Sequence, residues 1–202
     1  MRVVFLRHGE STGNIGVFPS DNETLELTMK GMQQAQDLAA TWIESPTRII
    51  TSPYVRALQT AMPTILRFGL TPTEIWPIQE FAYARPERWR MSTNEQRAKW
   101  VEDFWTEANP DYCDGAGAES FRSMLGRARS TLNRLALYPS TDIIYCFSHG
   151  QFIHALRSLI LFPSLPPAER MSTFWCIGPS PVQNAEKVTF EFAAGEWAVG
   201  TE

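Results

Sequence analysis

Three histidines occur in the 202-residue chain, and two of them stand in the same frame. "VVFLRHGES" (residues 3–11) and "IIYCFSHGQ" (residues 143–151) are each an apolar run closed by a polar residue, then His, then Gly. Histidine titrates near neutral pH, and its neutral ring can serve as nucleophile or base. Strands covered on both faces of a parallel sheet read as continuous apolar runs, and such sheets bind ligands beyond the carboxyl ends of their strands. His8 and His149 are therefore expected at that edge, facing each other across one site. The glycine after each, Gly9 and Gly150, is expected to let the backbone turn sharply and a ligand come close. One such histidine alone reads as structural; two in matched frames read as a pair.

Two arginines extend the cluster. Arg7 adjoins His8, and Arg56 falls in the first turn of the helix expected after "TSP". A cation there opposes the helix dipole unless an anion binds beside it. Arg7, Arg56, His8 and His149 together suit a doubly charged tetrahedral oxyanion, because guanidinium groups match phosphate geometry.

The elements that must position these groups alternate between strand and helix. Strands are expected at 2–6, 48–52, 73–78 and 142–147, the third ending at Pro77 or lying at an edge. A helix after Thr28 as N-cap places Met32, Ala35, Leu38, Ala39 and Trp42 on one face. Ser52 as N-cap with Pro53 at the first helical position starts a second helix. A long helix over 119–137 aligns Phe121, Met124, Leu125, Ala128, Leu132 and Leu135, and 151–161 is helical. The tail from 172 to 199 alternates enough for two or three strands. This order implies an α/β fold, a three-layer α/β/α sandwich around a mostly parallel sheet. Residues 81–118 break the rhythm. They hold Trp89, Trp100, Trp105 and a helix near 94–106, and read as a helical insertion or lid over the strand C-terminal ends. The chain is thus one domain, 1–202, with that insertion.

The totals narrow the partners. Hydrophobic residues make up 44% and charged residues 20%, ordinary for a globular protein. The net charge of −4, from 18 basic and 22 acidic residues, argues against nucleic acid, whose backbone wants a basic surface. The N-terminal apolar run is too short for a signal-peptide core, and no stretch is apolar enough to span a membrane. Cys113, Cys146 and Cys176 form neither a disulfide framework nor a metal site. A cytoplasmic protein without metal or cofactor is expected. The oligomeric state is left open.

"LRHGES", "LTMKGMQQAQDLA", "TSPYVRALQTA" and "FSHG" resemble the histidine phosphatase superfamily, in its phosphoglycerate-mutase-like branch with the Arg-His-Gly signature. The likeness covers residues 1–80 and 119–161. It implies that His8 is the nucleophile forming a phosphohistidine, and that Arg7, Arg56 and His149 hold phosphoryl oxygens. It implies a phosphate contact from Asn14, to which Ser11 and Gly150 are added as substrate contacts. It also points to Glu80, after the third strand, as the proton donor to the leaving oxygen. Burial is expected to help Glu80 keep that proton, and Glu10, Glu87 and Glu119 are its competitors. The implied activity is hydrolysis of phosphate monoesters on a small phosphorylated substrate or a phosphoprotein. Family mutases follow the acid with a Gly-containing stretch; "EFAYARPERWRM" departs from that, which favours a phosphatase over a mutase. Arg85, Arg88 and Arg90 in this stretch can meet a second anionic group on the substrate.

Three rival readings exist. "GESTG" matches the G-x-S-x-G elbow, which would make Ser11 a serine nucleophile, but no helical pattern follows it. "HGE" matches H-x-E of zinc deaminases, but the required P-C-x-x-C is missing. A non-catalytic phospholigand-binding module is the third, opposed by the intact set of candidate catalytic residues. His154, one turn beyond His149, reads as helix packing.

Overall fold

The computed structural model describes residues 1–16, 22–90, 92–178 and 181–200, without the side chains of residues 89, 90 and 94. The expectations for Trp89 and Arg90 as side chains thus lie outside the described residues.

The strands are β1 (Arg2–Arg7), β2 (Arg48–Thr51), β3 (Thr73–Ile75), β4 (Ile143–Ser148), β5 (Lys187–Ala193) and β6 (Glu196–Val199). They form one sheet in the order β3-β2-β4-β1-β5-β6. The first four run parallel, and β5 and β6 add an antiparallel edge. The helices are α1 (Met29–Ala40), α2 (Val55–Phe68), α3 (Pro86–Arg90), α4 (Asn94–Glu107), α5 (Phe121–Leu135), α6 (Gly150–Leu161) and α7 (Pro167–Ser172).

Side chains alternate across a strand, and the two central strands bury both sets. Val3 and Phe5 of β1 join Ile144 and Cys146 of β4 in a core with Met124, Ala128 and Leu132 of α5 and Phe152 and Leu156 of α6. Val4 and Leu6 join Tyr145 and Phe147 in a second core with Leu38, Trp42 and Ala61 on the α1–α2 side. Burying each such side chain contributes on the order of 2 kcal/mol. Two cores on opposite faces make the three layers, as the alternating pattern implies.

The differences in detail have local causes. Met32 is 41% exposed; Gly31 turns inward in its place, because a Cβ there would collide with Glu10 O where the loop after β1 crosses α1. Thr28 does cap α1, accepting from Gly31 N at 3.1 Å. β3 is only three residues long and ends before Pro77, at the sheet edge. α2 begins at Val55, with Tyr54 rather than Ser52 at its N-cap position. The Ser52 hydroxyl is drawn off into the site described below. The tail holds two strands, preceded by the short helix α7.

Segment 81–118 contributes α3 and α4 and packs inward through aromatic rings. Trp105 stacks on Phe174 at 5.2 Å between centroids, and Tyr83 stacks on Trp100 at 5.8 Å. Phe81 and Phe104 belong to the core next to Phe121. Trp100 and Trp105 are therefore packing groups of this segment.

Candidate active site

Parallel register brings the strand ends together. Arg7 of β1 is opposite Ser148 of β4, and Thr51 of β2 is opposite Phe147. The next residues, His8, His149 and Ser52, therefore emerge side by side. The rings of His8 and His149 lie 5.1 Å apart, and both residues are buried.

His8 is held at both nitrogens. Nδ1 lies 2.7 Å from Gly9 O, and Nε2 lies 3.1 Å from Arg56 Nε. A carbonyl only accepts and a guanidinium only donates. Nδ1 therefore carries the proton, and Nε2 presents a lone pair. Burial drives the His8 pKa well below 6.5, and the charges of Arg56 and Arg7 push the same way. His8 is thus a neutral, oriented imidazole.

Arg56 projects from the start of α2. It donates to His8 and, through Nη1, to Asn22 O at 2.6 Å. Burial lowers its pKa to about 10, with Glu80 opposing the shift, so it stays charged at neutral pH. Arg7 donates through Nη1 to Val182 O at 2.6 Å, while its Nε is buried without a protein partner. Gly150 makes room for this arginine: a Cβ there would lie 3.4 Å from Arg7 Cδ and Nε. Gly9 likewise makes room for Gly31 O, which a Cβ would meet at 2.6 Å. Both glycines thus allow close approach of protein to protein.

His149 is fully buried, and its pKa is driven well below 6.5 by burial and then by Arg56. Its Nε2 lies 2.8 Å from Ser52 Oγ, and Ser52 Oγ also accepts from Tyr54 N at 3.3 Å. The serine hydroxyl can donate to Nε2, which would place the ring proton on Nδ1; Nδ1 is buried without a protein partner.

These groups adjoin a cavity of about 400 Å³ lined by Arg7, His8, Ser11, Asn14, Arg56 and Glu80, and by Leu25, Tyr54, Phe81, Ala82, Tyr83, Ala84 and Pro86. Glu80 is half-buried. Its Oε1 accepts from Phe81 N at 3.0 Å and from Gln151 N, in the first turn of α6, at 3.1 Å. Its competitors are placed elsewhere. Glu10 bonds Lys30 and Thr28, Glu119 bonds Arg127, and Glu87 lines a separate cavity. Asn14 Oδ1 accepts from Ser11 N, Ser11 Oγ and Asn184 Nδ2, which leaves its own Nδ2 to donate. Ser11 Oγ has no histidine beside it, since the partner of His149 is Ser52. The serine-nucleophile reading fails on that geometry.

Arg85 and Arg88 are not brought to this cavity. They line a second one of about 380 Å³ with Ser92, Gln96 and Trp100. Arg88 donates through Nε to the buried Asp114 at 2.7 Å and covers the Trp100 ring. Both stand in the segment that walls the first cavity rather than among the groups that line it. Several residues that build the site are not among the expected site residues. Ser52 holds His149, Thr60 Oγ1 accepts from Gly9 N at 3.0 Å, and Asn184 Nδ2 donates to His8 O at 3.0 Å. His154 packs as expected, its Nε2 at 2.5 Å from Phe174 O.

His8, Arg7 and Arg56 line one cavity at the edge of a parallel sheet, with His149 buried against His8, a cluster with the donors and charge to hold a phosphoryl group. The sequence pattern of the histidine phosphatase superfamily (branch 1) matches residues 3–200, so the chain belongs to that superfamily. It is an enzyme of the phosphoric monoester hydrolase class. The chain is 27% identical over 171 residues to an adenosylcobalamin/alpha-ribazole phosphatase of Salmonella typhi, covering 80% of each. Its fold is similar to that of a mycobacterial glucosyl-3-phosphoglycerate phosphatase solved with VO3, with TM-score 0.77, 22% identity, and 100% and 98% of the two chains covered. It is also similar to that of an alpha-ribazole phosphatase of Shigella flexneri, with TM-score 0.76, 22% identity, and coverage of 99% and 95%. At such identities these two structures speak for the fold. Among the described residues, no helix is long and apolar enough to cross a membrane.

Proposed function

We propose that the protein hydrolyses phosphate monoesters in two steps through a phosphohistidine on His8. His8 Nε2 attacks phosphorus, the N–P bond forms, and the P–O bond to the leaving group breaks as Glu80 gives that oxygen a proton. Water then attacks the phosphohistidine, the N–P bond breaks, and the Glu80 carboxylate takes the proton from water. Arg7, Arg56, His149 Nδ1 and Asn14 Nδ2 donate to the phosphoryl oxygens, on which negative charge gathers in the transition state. The observation that carries this reading is the pair of buried, unpartnered nitrogens, Arg7 Nε and His149 Nδ1, beside a neutral His8 whose Nε2 lone pair faces the Arg56 guanidinium. A buried donor without a partner is costly, and a phosphoryl oxygen supplies both.

The substrate is a small molecule with one phosphate and an uncharged organic part. The cations lining the cavity are Arg7 and Arg56, both committed to the phosphate, and the far wall is Leu25, Tyr54, Phe81, Tyr83 and Pro86. A phosphoglycerate mutase must also hold a carboxylate, and Arg85 and Arg88 line the other cavity. This placement supports phosphatase over mutase and a small molecule over a phosphoprotein. The cysteines at 113, 146 and 176 are free, two of them exposed, which fits a reducing, cytoplasmic setting. Segment 81–118 serves as the wall that selects the organic part of the ester.

Quenching the enzyme during turnover of a radiolabelled monoester tests the first step. The label is expected on His8, acid-labile and base-stable, and absent from His8→Ala. Turnover retained in His8→Ala would remove this reading.

A further inference from the structure

The structure assigns Arg127 and Glu119, a pair no part of the reaction touches, the task of holding Glu80 where it can pass its proton. This inference rests on the reading of Glu80 as the acid.

Glu80 stands on a stretch without regular structure, between β3 and α3. Pro77 has no N–H to give to a ladder, and β3 has already ended at Ile75. The carbonyls of this stretch must find partners elsewhere, and those of residues 77–79 find them on side chains. Arg127 of α5 donates through Nη1 to Pro77 O at 2.8 Å and to Gln79 O at 3.2 Å. Ser148 Oγ donates to Ile78 O at 2.6 Å. On the far side of Glu80, Ala82 O accepts from Glu119 N at 2.8 Å, and Ala82 N lies 3.5 Å from Glu119 Oε1. Arg127 closes the frame by donating through Nε to Glu119 Oε2 at 3.0 Å, with a second bond from Nη2. Both side chains are less than one-fifth exposed. Glu80 is thus fixed at residues 79 and 82 by one ion pair.

The planar fork of arginine is what spans these acceptors. It reaches two carbonyls and a carboxylate at once, whereas a lysine keeps the charge but not the fork. Arg127→Lys therefore separates position from charge. The distinction matters because the Arg127 charge also acts on His149.

A misplaced acid has a particular kinetic signature. A leaving group that departs readily as an anion does not need the proton; an alkoxide does. 4-Nitrophenyl phosphate and benzyl phosphate present similar rings with leaving groups at these two extremes. The test measures kcat/KM for both esters in the wild type, Arg127→Lys, Glu119→Gln and Glu80→Gln, each checked for a native melting transition. Glu80→Gln is expected to lose about 10²–10⁴-fold on benzyl phosphate, the usual weight of a general acid, and far less on the nitrophenyl ester. Arg127→Lys and Glu119→Gln are expected to show the same bias at about 10- to 100-fold on benzyl phosphate. An equal loss on both esters in a folded Arg127→Lys would overturn the positioning role while leaving Glu80 as the acid. Equal losses in Glu80→Gln itself would overturn the acid reading, and the inference with it.

Discussion

His8, Arg7, His149 and Arg56 each sit within two residues of a strand end or a helix start. The opposite wall of the same cavity, Phe81 to Pro86 with Gly117, runs through loop and the first residue of a five-residue helix. The phosphate end keeps donors in reserve: Arg7 Nε and His149 Nδ1 are buried and unpartnered. The wall segment keeps none at Arg88, whose charge is consumed by Asp114. Rigid elements carry groups that must meet a fixed tetrahedral anion, and the adaptable segment shapes only the room for the rest of the ester. The same fold can then keep one chemistry and change its substrate by altering the segment alone.

The largest effect that tests this division comes from the phosphate end. His8→Ala is expected to abolish turnover of every monoester, whatever its organic part. Arg56→Gln is expected to lower kcat by about 10²–10³-fold, the usual weight of one oxyanion donor. It carries a second signature. Arg56 donates to the lone pair of His8 and repels its proton. Without it the His8 pKa rises, so the acid limb of the kcat/KM profile moves to higher pH. An unmoved acid limb would break the coupling between these two residues.

Buried neutral histidines also set a pH dependence of stability. An unfolded histidine takes up a proton near pH 6.5, whereas burial holds His8 and His149 neutral in the native state to well below that. Below pH 6.5 the unfolded state therefore binds more protons, and stability falls as pH falls until the native values are reached. The slope is up to about 1.4 kcal/mol per pH unit for each ring. Denaturant midpoints between pH 8 and pH 5 are expected to fall in the lower half of that window, and His8→Gln to fall less steeply. Burial lowers the His154 pKa as well and adds to the same slope, whereas the depressed carboxylates, such as Asp114 and Glu74, act at lower pH. A flat profile to pH 5 would mean that the strand-end rings are not held neutral by burial.

The contrast between the two regions also explains what could be read before the structure. The strands ending in His8 and His149 are legible because burial on both faces leaves a continuous apolar run and the next residue must emerge at the ligand edge. The inward residues of α5, from Phe121 to Leu135, are legible because their spacing repeats with the helix. Ser52 is half legible: its helix-start pattern is present, yet His149 from a strand almost a hundred residues later takes its hydroxyl at 2.8 Å. Asn184 reaches His8 O only because Leu6 pairs with Lys187 in antiparallel register, and no local pattern encodes that register. The partner of Arg88 is hidden for the same reason. Asp114 lies 26 residues on, across a segment with no period to follow.

The smallest effects discriminate within the wall. Asp114 accepts from Arg88 Nε at 2.7 Å, Arg85 N at 3.1 Å and Tyr112 Oη at 3.0 Å, with its own side chain almost fully buried. It ties α3 to the turn before α5. Asp114→Ala leaves those donors without an acceptor and is expected to cost about 2–4 kcal/mol in stability. The catalytic groups hang from other elements, so KM for an aryl ester is expected to rise while kcat is nearly kept. Arg85 is exposed and bonds Asp114 only through its backbone. Arg85→Ala is therefore expected to change kcat/KM for 4-nitrophenyl phosphate by less than about twofold, the range of an ordinary surface substitution. A loss of tenfold or more in Arg85→Ala would show its guanidinium meeting the substrate. The wall would then supply charge as well as shape, and the division between the two ends of the cavity would no longer hold.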